Sequence, residues 1–271
     1  MVFVILPLLP NQELTLLGVE GAFNPYQTWL MIIFVSGVSF VGYFLAKVVG
    51  GAHGIGLTGV LGGLVSSTAV TQSMANDSKK HPKLVSAYAF AAISASVVKC
   101  FRVLFEAWTI DSLMISKYAV AVLAVAVVGI MFITRWIGPS EAKDGNGKIC
   151  VGSPLSLKPA IVFGLLYSFT VFVTRLMVTN EISNLGFGIL GMVSGMADLD
   201  AITLSMSGLF LQGAVSDVTA WTTIVIAVIS NLLFKAALAR IFGSNKYFRI
   251  VSTALVVMAL AGVIFAALSL R

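Results

Sequence analysis

Polar and charged residues fall in short clusters along this chain, and between them run stretches whose side chains are apolar on every face of any helix they form. A helix that crosses the hydrocarbon of a bilayer needs about 20 mostly apolar residues. Eight stretches meet that length, at 26–46, 54–75, 84–107, 114–136, 159–179, 185–208, 218–242 and 248–270. The longest polar interval, "GPSEAKDGNGKICVGSPLSLKP" at 138–159, carries turn-forming Gly, Pro, Asn and Asp near the midpoint of the chain. It predicts a polar linker at 138–158 between transmembrane units at 24–137 and 159–271. Residues 1–23 open with "MVFVILPLLP", too short to span and without a basic n-region or an Ala-x-Ala site, so they predict a retained membrane-edge segment. The fold class expected is an all-α polytopic membrane protein.

The two units repeat. At an offset of 132 residues, "GIGLTGVLGGLVSSTAVTQSM" (54–74) aligns without a gap with "GFGILGMVSGMADLDAITLSM" (186–206), and eight of 21 positions are identical. A composition this biased gives about two such identities by chance, so a duplication accounts better for the match, as in many transporters. A second match at an offset of 136 pairs "ISASVVK" (93–99) with "ISNLLFK" (229–235) and makes Lys99 and Lys235 equivalent. The expected architecture is therefore two tandem four-helix repeats with pseudo-twofold symmetry.

The repeated segment also holds the candidate chemistry. Gly59 and Gly63, with their copies Gly191 and Gly195, put two small residues on one face of each helix, where backbones can approach closely. That predicts packing of the two matched helices against each other. Beyond the glycines, Ser66 and Thr68 of the first copy become Asp198 and Asp200 in the second, while Thr71 and Thr203 correspond directly. An aspartate at the centre of a membrane helix costs roughly 2.5–3.5 kcal/mol on insertion scales, so two in one helix call for a partner, a proton, a bound cation or a wet cavity. Side chains two apart on an ideal helix point about 200° apart, so both acids reach one pocket only if the helix breaks, and a break near Gly195 is the expected place. Lys99 and Lys235 are the candidate counter-charges, and Asn231 is a candidate lining residue. Arg102 and Glu106, at i and i+4, read as a self-satisfied structural pair near a helix end.

Composition sharpens this picture without changing it. Of the 271 residues 58% are hydrophobic and 10% charged, far from a soluble domain. The net charge of +6 comes from basic residues scattered through connectors, with no basic run or aromatic platform, which excludes a nucleic-acid partner and fits loops at lipid headgroups. For eight crossings, the basic residues other than Lys99 and Lys235 divide eight against seven between the two sides, so charge does not set the orientation. Cys100 and Cys150 form no CxxC or disulfide framework, and His53 and His81 have no acid or thiol at ligand spacing. No cofactor is expected.

Three stretches carry a family resemblance: "ILPLLPN" (5–11), "NPYQTWLMIIFVSGVSFVGYFLAKVVG" (24–50) and "GLTGVLGGLVSSTAVTQSMA" (56–75), followed by "AFAAISASVVKCFRVLF" (89–105). They resemble the membrane module of unknown function that follows the MgtC/SapB domain in a family of bacterial and archaeal membrane proteins. The MgtC/SapB domain itself is missing from these 271 residues. The resemblance implies a multi-pass protein of the cytoplasmic membrane, associated with transport of magnesium or another cation, and an MgtC/SapB-like partner domain or a homo-oligomer. The residues and the resemblance together lead us to expect a transporter or channel-like permease for a small cation (Mg²⁺, Na⁺ or H⁺-coupled). Its midplane site, with any metal held by Asp198 and Asp200, is expected to combine Ser66, Thr68 and Thr71 of one half with Asp198, Asp200, Thr203 and Asn231 of the other. Two other readings stand beside it: a non-transporting regulatory module, and an intramembrane aspartyl enzyme, which needs two facing carboxylates from different helices.

Overall fold

The computed structural model describes residues 5–16, 18–49, 54–112, 119–137 and 157–269. Nearly all of them are helical, as long apolar runs in a bilayer must be to satisfy their own backbone groups. The first half holds α1 (Pro25–Val49), α2 (Ile55–Lys80), α3 (Val85–Ile110) and α4 (Val120–Phe132), the last continued by a wider turn over Ile133–Ile137. The second holds α5 (Leu157–Thr179), α6 (Asn184–Ala197), α7 (Leu199–Leu211), α8 (Asp217–Phe242) and α9 (Asn245–Ser269). Five helices are long and apolar enough to cross a membrane among the described residues, those beginning at Pro25, Pro82, Ala160, Asp217 and Asn245. Two of the remaining expected spans depart from single apolar rods. The stretch expected at 185–208 is two short helices, and α2 contains a residue, Ser66, with non-helical φ −159° and ψ 103°. Most of the expected linker, 138–156, lies outside the described residues, as do His53 and Cys150.

The N-terminal segment adds a small hairpin to an otherwise all-α membrane protein. Leu14–Leu16 (β1) and Val19–Phe23 (β2) pair antiparallel as a small hairpin, with Leu14 opposite Phe23 and Leu16 opposite Val19. Alternating Leu-Thr-Leu supplies a strand face, and Gly18 and Gly21 adopt φ of +81° and +66°, which L side chains rarely accept. The hairpin lies on α5, with Val19 buried.

The glycine pairs do not join the matched helices to each other, as expected from sequence. They seat α2 on α3 and α6 on α8, each within its own half. A Cβ added to Gly63 would stand 2.6 Å from the Ala95 Cα, and one on Gly191 would stand 2.6 Å from the Thr223 carbonyl oxygen. Gly59 abuts the Ala91 backbone and Gly195 the Ala227 backbone just as closely. The reason lies in the partner surface: Ala91 and Ala95 of α3 and Ala227 of α8 are themselves small and fully buried, so a small-on-small seam closes locally. Each contact in one half recurs 132 residues later in the other: Gly59 on Ala91 becomes Gly191 on Thr223, and Gly63 on Ala95 becomes Gly195 on Ala227. These seats on the third helix follow a spacing of 132, where the short string match had 136. At 132, Lys99 corresponds to Asn231, and Lys235 to Val103.

Across the halves, α3 packs on α7 and α8 on α2, while α1 meets α5 and α4 meets α9. The core is richest along α3, where Ala87, Ala89, Ala91, Ile93, Ala95 and Val103 are almost wholly buried.

Candidate functional site

The site begins with a break in a helix. Asp198 takes an extended backbone, φ −152° and ψ 119°, which ends α6 and starts α7. Its Oδ1 accepts hydrogen bonds from the Asp200 N–H at 2.8 Å and the Ala201 N–H at 3.0 Å. These are the donors that the first turn of any helix leaves unpaired, and inside a bilayer they have no water to fall back on. Ser66 repeats the arrangement in α2, its Oγ accepting from the Ala69 N–H at 3.3 Å. The break therefore falls three residues past Gly195, at the residue able to cap it.

Once the chain restarts at Asp198, Asp200 sits in the first turn of α7 and faces α3. Lys99 Nζ ion-pairs with its Oδ1, and Arg102 Nη2 lies 2.9 Å from its Oδ2. Arg102 also meets Glu106, Nε to Oε1 at 2.8 Å, and donates through Nη1 to the Leu64 carbonyl at 2.6 Å and to Ser39 Oγ at 3.3 Å. Its side chain is 2% exposed and that of Glu106 is 0%. This corrects the reading of Arg102 and Glu106 as a self-contained pair near a helix end. Arg102 connects α1, the broken region of α2 and the start of α7 from a single position on α3.

The other sequence-predicted residues divide around this cluster. Thr71 Oγ1 donates to the Ser67 carbonyl at 2.9 Å and Thr203 Oγ1 to the Leu199 carbonyl at 2.8 Å, the same bond 132 residues apart. Both hydroxyls serve their own helix. Ser66 is exposed and Thr68 half-buried. The hydroxyls of Ser66, Thr68 and Thr71 lie on α2, whereas Thr203 shares α7 with Asp200; α3 packs on both helices, and Arg102 joins the Leu64 carbonyl of α2 to Asp200. Asn231 Nδ2 donates to the Gly195 carbonyl at 2.8 Å, and Ser230 Oγ to the Met192 carbonyl at 2.6 Å, so α8 holds the end of α6.

Lys235 is 1% exposed, and its Nζ donates to Ser96 Oγ at 3.3 Å. It ion-pairs with no carboxylate among the described residues, which corrects its expected role as direct counter-charge. Lys99 takes that place because it lies along the face of α3 that meets α7. Among the described residues no group of three or more His, Cys, Asp or Glu side chains converges to hold a metal ion. Asp198 is engaged through its Oδ1 by backbone N–H groups, and Asp200 by two cations. Arg102 is the residue that sequence reasoning undervalued. Its signal was an arginine inside an apolar run at the depth of Lys99, one helical turn away.

A polytopic helical membrane protein with a buried four-residue charge cluster at a helix break is the class that these features define. Residues 33–243 match a family model described as Domain of unknown function (DUF4010), and the chain belongs to that family. An uncharacterized protein from Aquifex aeolicus (strain VF5) is 36% identical over 191 residues, covering 70% of this chain and 83% of the relative. No solved structure matches.

Proposed function

We propose that this chain is a secondary transporter or channel-like permease that moves a small cation, Mg²⁺, Na⁺ or H⁺ in coupling, through the region of Asp198 and Asp200. The observation that carries the reading is the helix break at Asp198, which presents Asp200 to Lys99 and Arg102 inside an apolar bundle. Discontinuous helices at mid-membrane depth are a recurring device for ion sites, because freed backbone groups and charged side chains meet there. The cation exchanges for Lys99 on Asp200: the ammonium withdraws as the ion arrives and returns as it leaves, so the buried carboxylate is never left unpaired.

The proposal includes two duplicated four-helix units, eight crossings in all, in the cytoplasmic membrane of a bacterium or archaeon. The recurrence of glycine seats, helix breaks and threonine bonds at 132 residues supports the duplication. The chain binds and translocates; it does not catalyse a reaction. The test is ion flux in liposomes holding purified protein, with Asp198→Asn and Asp200→Asn. Flux is expected to fall with Asp200→Asn, and full activity in the double variant refutes the reading. A second reading, a regulatory membrane module bound to an MgtC/SapB-like domain, is favoured by the engagement of both Asp200 oxygens. It wins if purified protein moves no ion and co-purifies stoichiometrically with such a domain.

A further inference from the structure

A cavity of about 450 Å³ lies between the hairpin, the first turns of α1, the end of α3, and the C-terminal halves of α5 and α7. That volume is in the range of small-molecule sites, roughly 300–1,000 Å³. Its apolar wall includes Phe34, Tyr167 and Leu204, and Leu204 is one helical turn beyond Asp200 on α7.

Two opposite charges meet at its hairpin side without pairing. A Cβ built on Gly21 would stand 3.0 Å from Glu13 Oε2 and 3.3 Å from Arg175 Cζ, so carboxylate and guanidinium flank one glycine. No ion pair joins them. Arg175 Nη2 donates to Gln212 Oε1, whereas its Nε is buried without a partner. A guanidinium with an idle buried donor costs free energy until an acceptor arrives. Each simpler ligand fails on one of these groups. A bare cation is repelled by Arg175, a bare anion is repelled by Glu13, and an uncharged apolar molecule leaves the Arg175 Nε unpaired.

We propose that this cavity binds a small zwitterion bearing an apolar group, its anionic oxygens on Arg175, its ammonium on Glu13, and its apolar part against Phe34, Tyr167 and Leu204. A free α-amino acid and the headgroup region of phosphatidylethanolamine both have this chemistry. Treating the ligand as cargo, with the cation as coupling ion, rests on the transport reading; the binding itself does not.

Calorimetric titration of the full chain in detergent with L-phenylalanine tests the first source. Native mass spectrometry after purification from phosphatidylethanolamine nanodiscs tests the second. Saturable binding is expected to at least one of the two, weakened at least about tenfold by Arg175→Gln and by Glu13→Gln, as the loss of a charge-assisted hydrogen bond implies. Arg175→Lys, which keeps the charge, is expected to recover part of the affinity and serves as the control for folding. Asp200→Asn is expected to bind as wild type while losing ion flux. The inference is overturned if neither zwitterion binds saturably, if benzyl alcohol binds as tightly as phenylalanine, or if the Arg175→Gln and Glu13→Gln variants both bind as wild type. Asp200-dependent flux without zwitterion binding overturns the cavity assignment alone and leaves the cation reading standing.

Discussion

Replacing Arg102 by methionine tests the charge cluster most directly. The guanidinium forms ion pairs with Glu106 at 2.8 Å and Asp200 at 2.9 Å, and it bonds the Leu64 carbonyl at 2.6 Å. Methionine keeps much of the volume and removes all three. Asp200 still has Lys99, but Glu106, with 0% of its side chain exposed, loses its ion-pair partner, and its Oε2 already has none. Breaking a buried pair by deleting one member costs about 3–5 kcal/mol, and the stranded glutamate puts this variant at the upper end. Most of the cost is the penalty of the orphaned charge, so removing Glu106 as well should recover it. In Arg102→Met/Glu106→Leu the remaining Asp200–Lys99 pair is balanced and the site is apolar, so the double variant is expected within about 1–2 kcal/mol of wild type. Equilibrium unfolding in mixed micelles, run as a double-mutant cycle, gives the coupling energy. Additive losses, or a single variant within about 0.5 kcal/mol of wild type, would refute the reasoning.

The small-residue seams and the helix cap give two further tests. Gly63→Val drives a branched side chain into the Ala95 backbone and is expected to cost more than about 2 kcal/mol, whereas Gly37→Ala in α1, where an added Cβ meets nothing within 4 Å, should gain about 0.5–1 kcal/mol; both are read by thermal unfolding. Asp198→Ala is expected to lose about 1 kcal/mol of stability with the cap, and Asp198→Asn almost none, since asparagine caps as well. Equal losses in the two variants would show that the charge of Asp198, not its hydrogen bonding, supports the fold.

The features legible in the sequence were those that repeat or run long. Apolar stretches located the helices, and the ungapped match at 132 found the glycines at matched positions, because both are properties of one segment read by itself. What stayed hidden depends on a second segment. Glycine pairs mark a close approach without saying to what, and the answer was the alanines of α3 and a threonine and alanine of α8. The match at 136 rested on a seven-residue string, whereas the glycine seats on α3 and α8 follow 132. Arg102 and Glu106 satisfy the i,i+4 rule within one helix, so nothing local announced that the third partner, Asp200, lay 98 residues away. Asp198 was read as a charge and acts as a cap, because the same side chain serves both ends and only the backbone angle distinguishes them. The hairpin was missed since β1 has only three residues and β2, Val-Glu-Gly-Ala-Phe, does not alternate strictly between apolar and polar positions.

On the duplicated-unit reading, the cluster is asymmetric in a way that separates folding from function. The α3–α7 contact and the α8–α2 contact occupy equivalent places in the two halves. At the 132-residue spacing, Lys99 corresponds to Asn231, Arg102 to Phe234, Glu106 to Leu238 and Asp200 to Thr68. All four charges therefore stand in one contact, and their counterparts in the other are neutral. The neutral set supports the same pair of helices, so the charged set is not required for packing. Buried ion pairs contribute little net stability against apolar replacements of similar volume, which makes stability a poor reason for placing them here. Transplanting the neutral set, as Lys99→Asn, Arg102→Phe, Glu106→Leu and Asp200→Thr together, should give a protein that unfolds within about 2 kcal/mol of wild type and carries no ion flux. Arg102→Phe changes shape most, and Arg102→Met in the same background controls for overpacking. Loss of folding in both backgrounds would show that the charges hold the bundle together; retained folding with retained flux would remove the cluster from the transport mechanism.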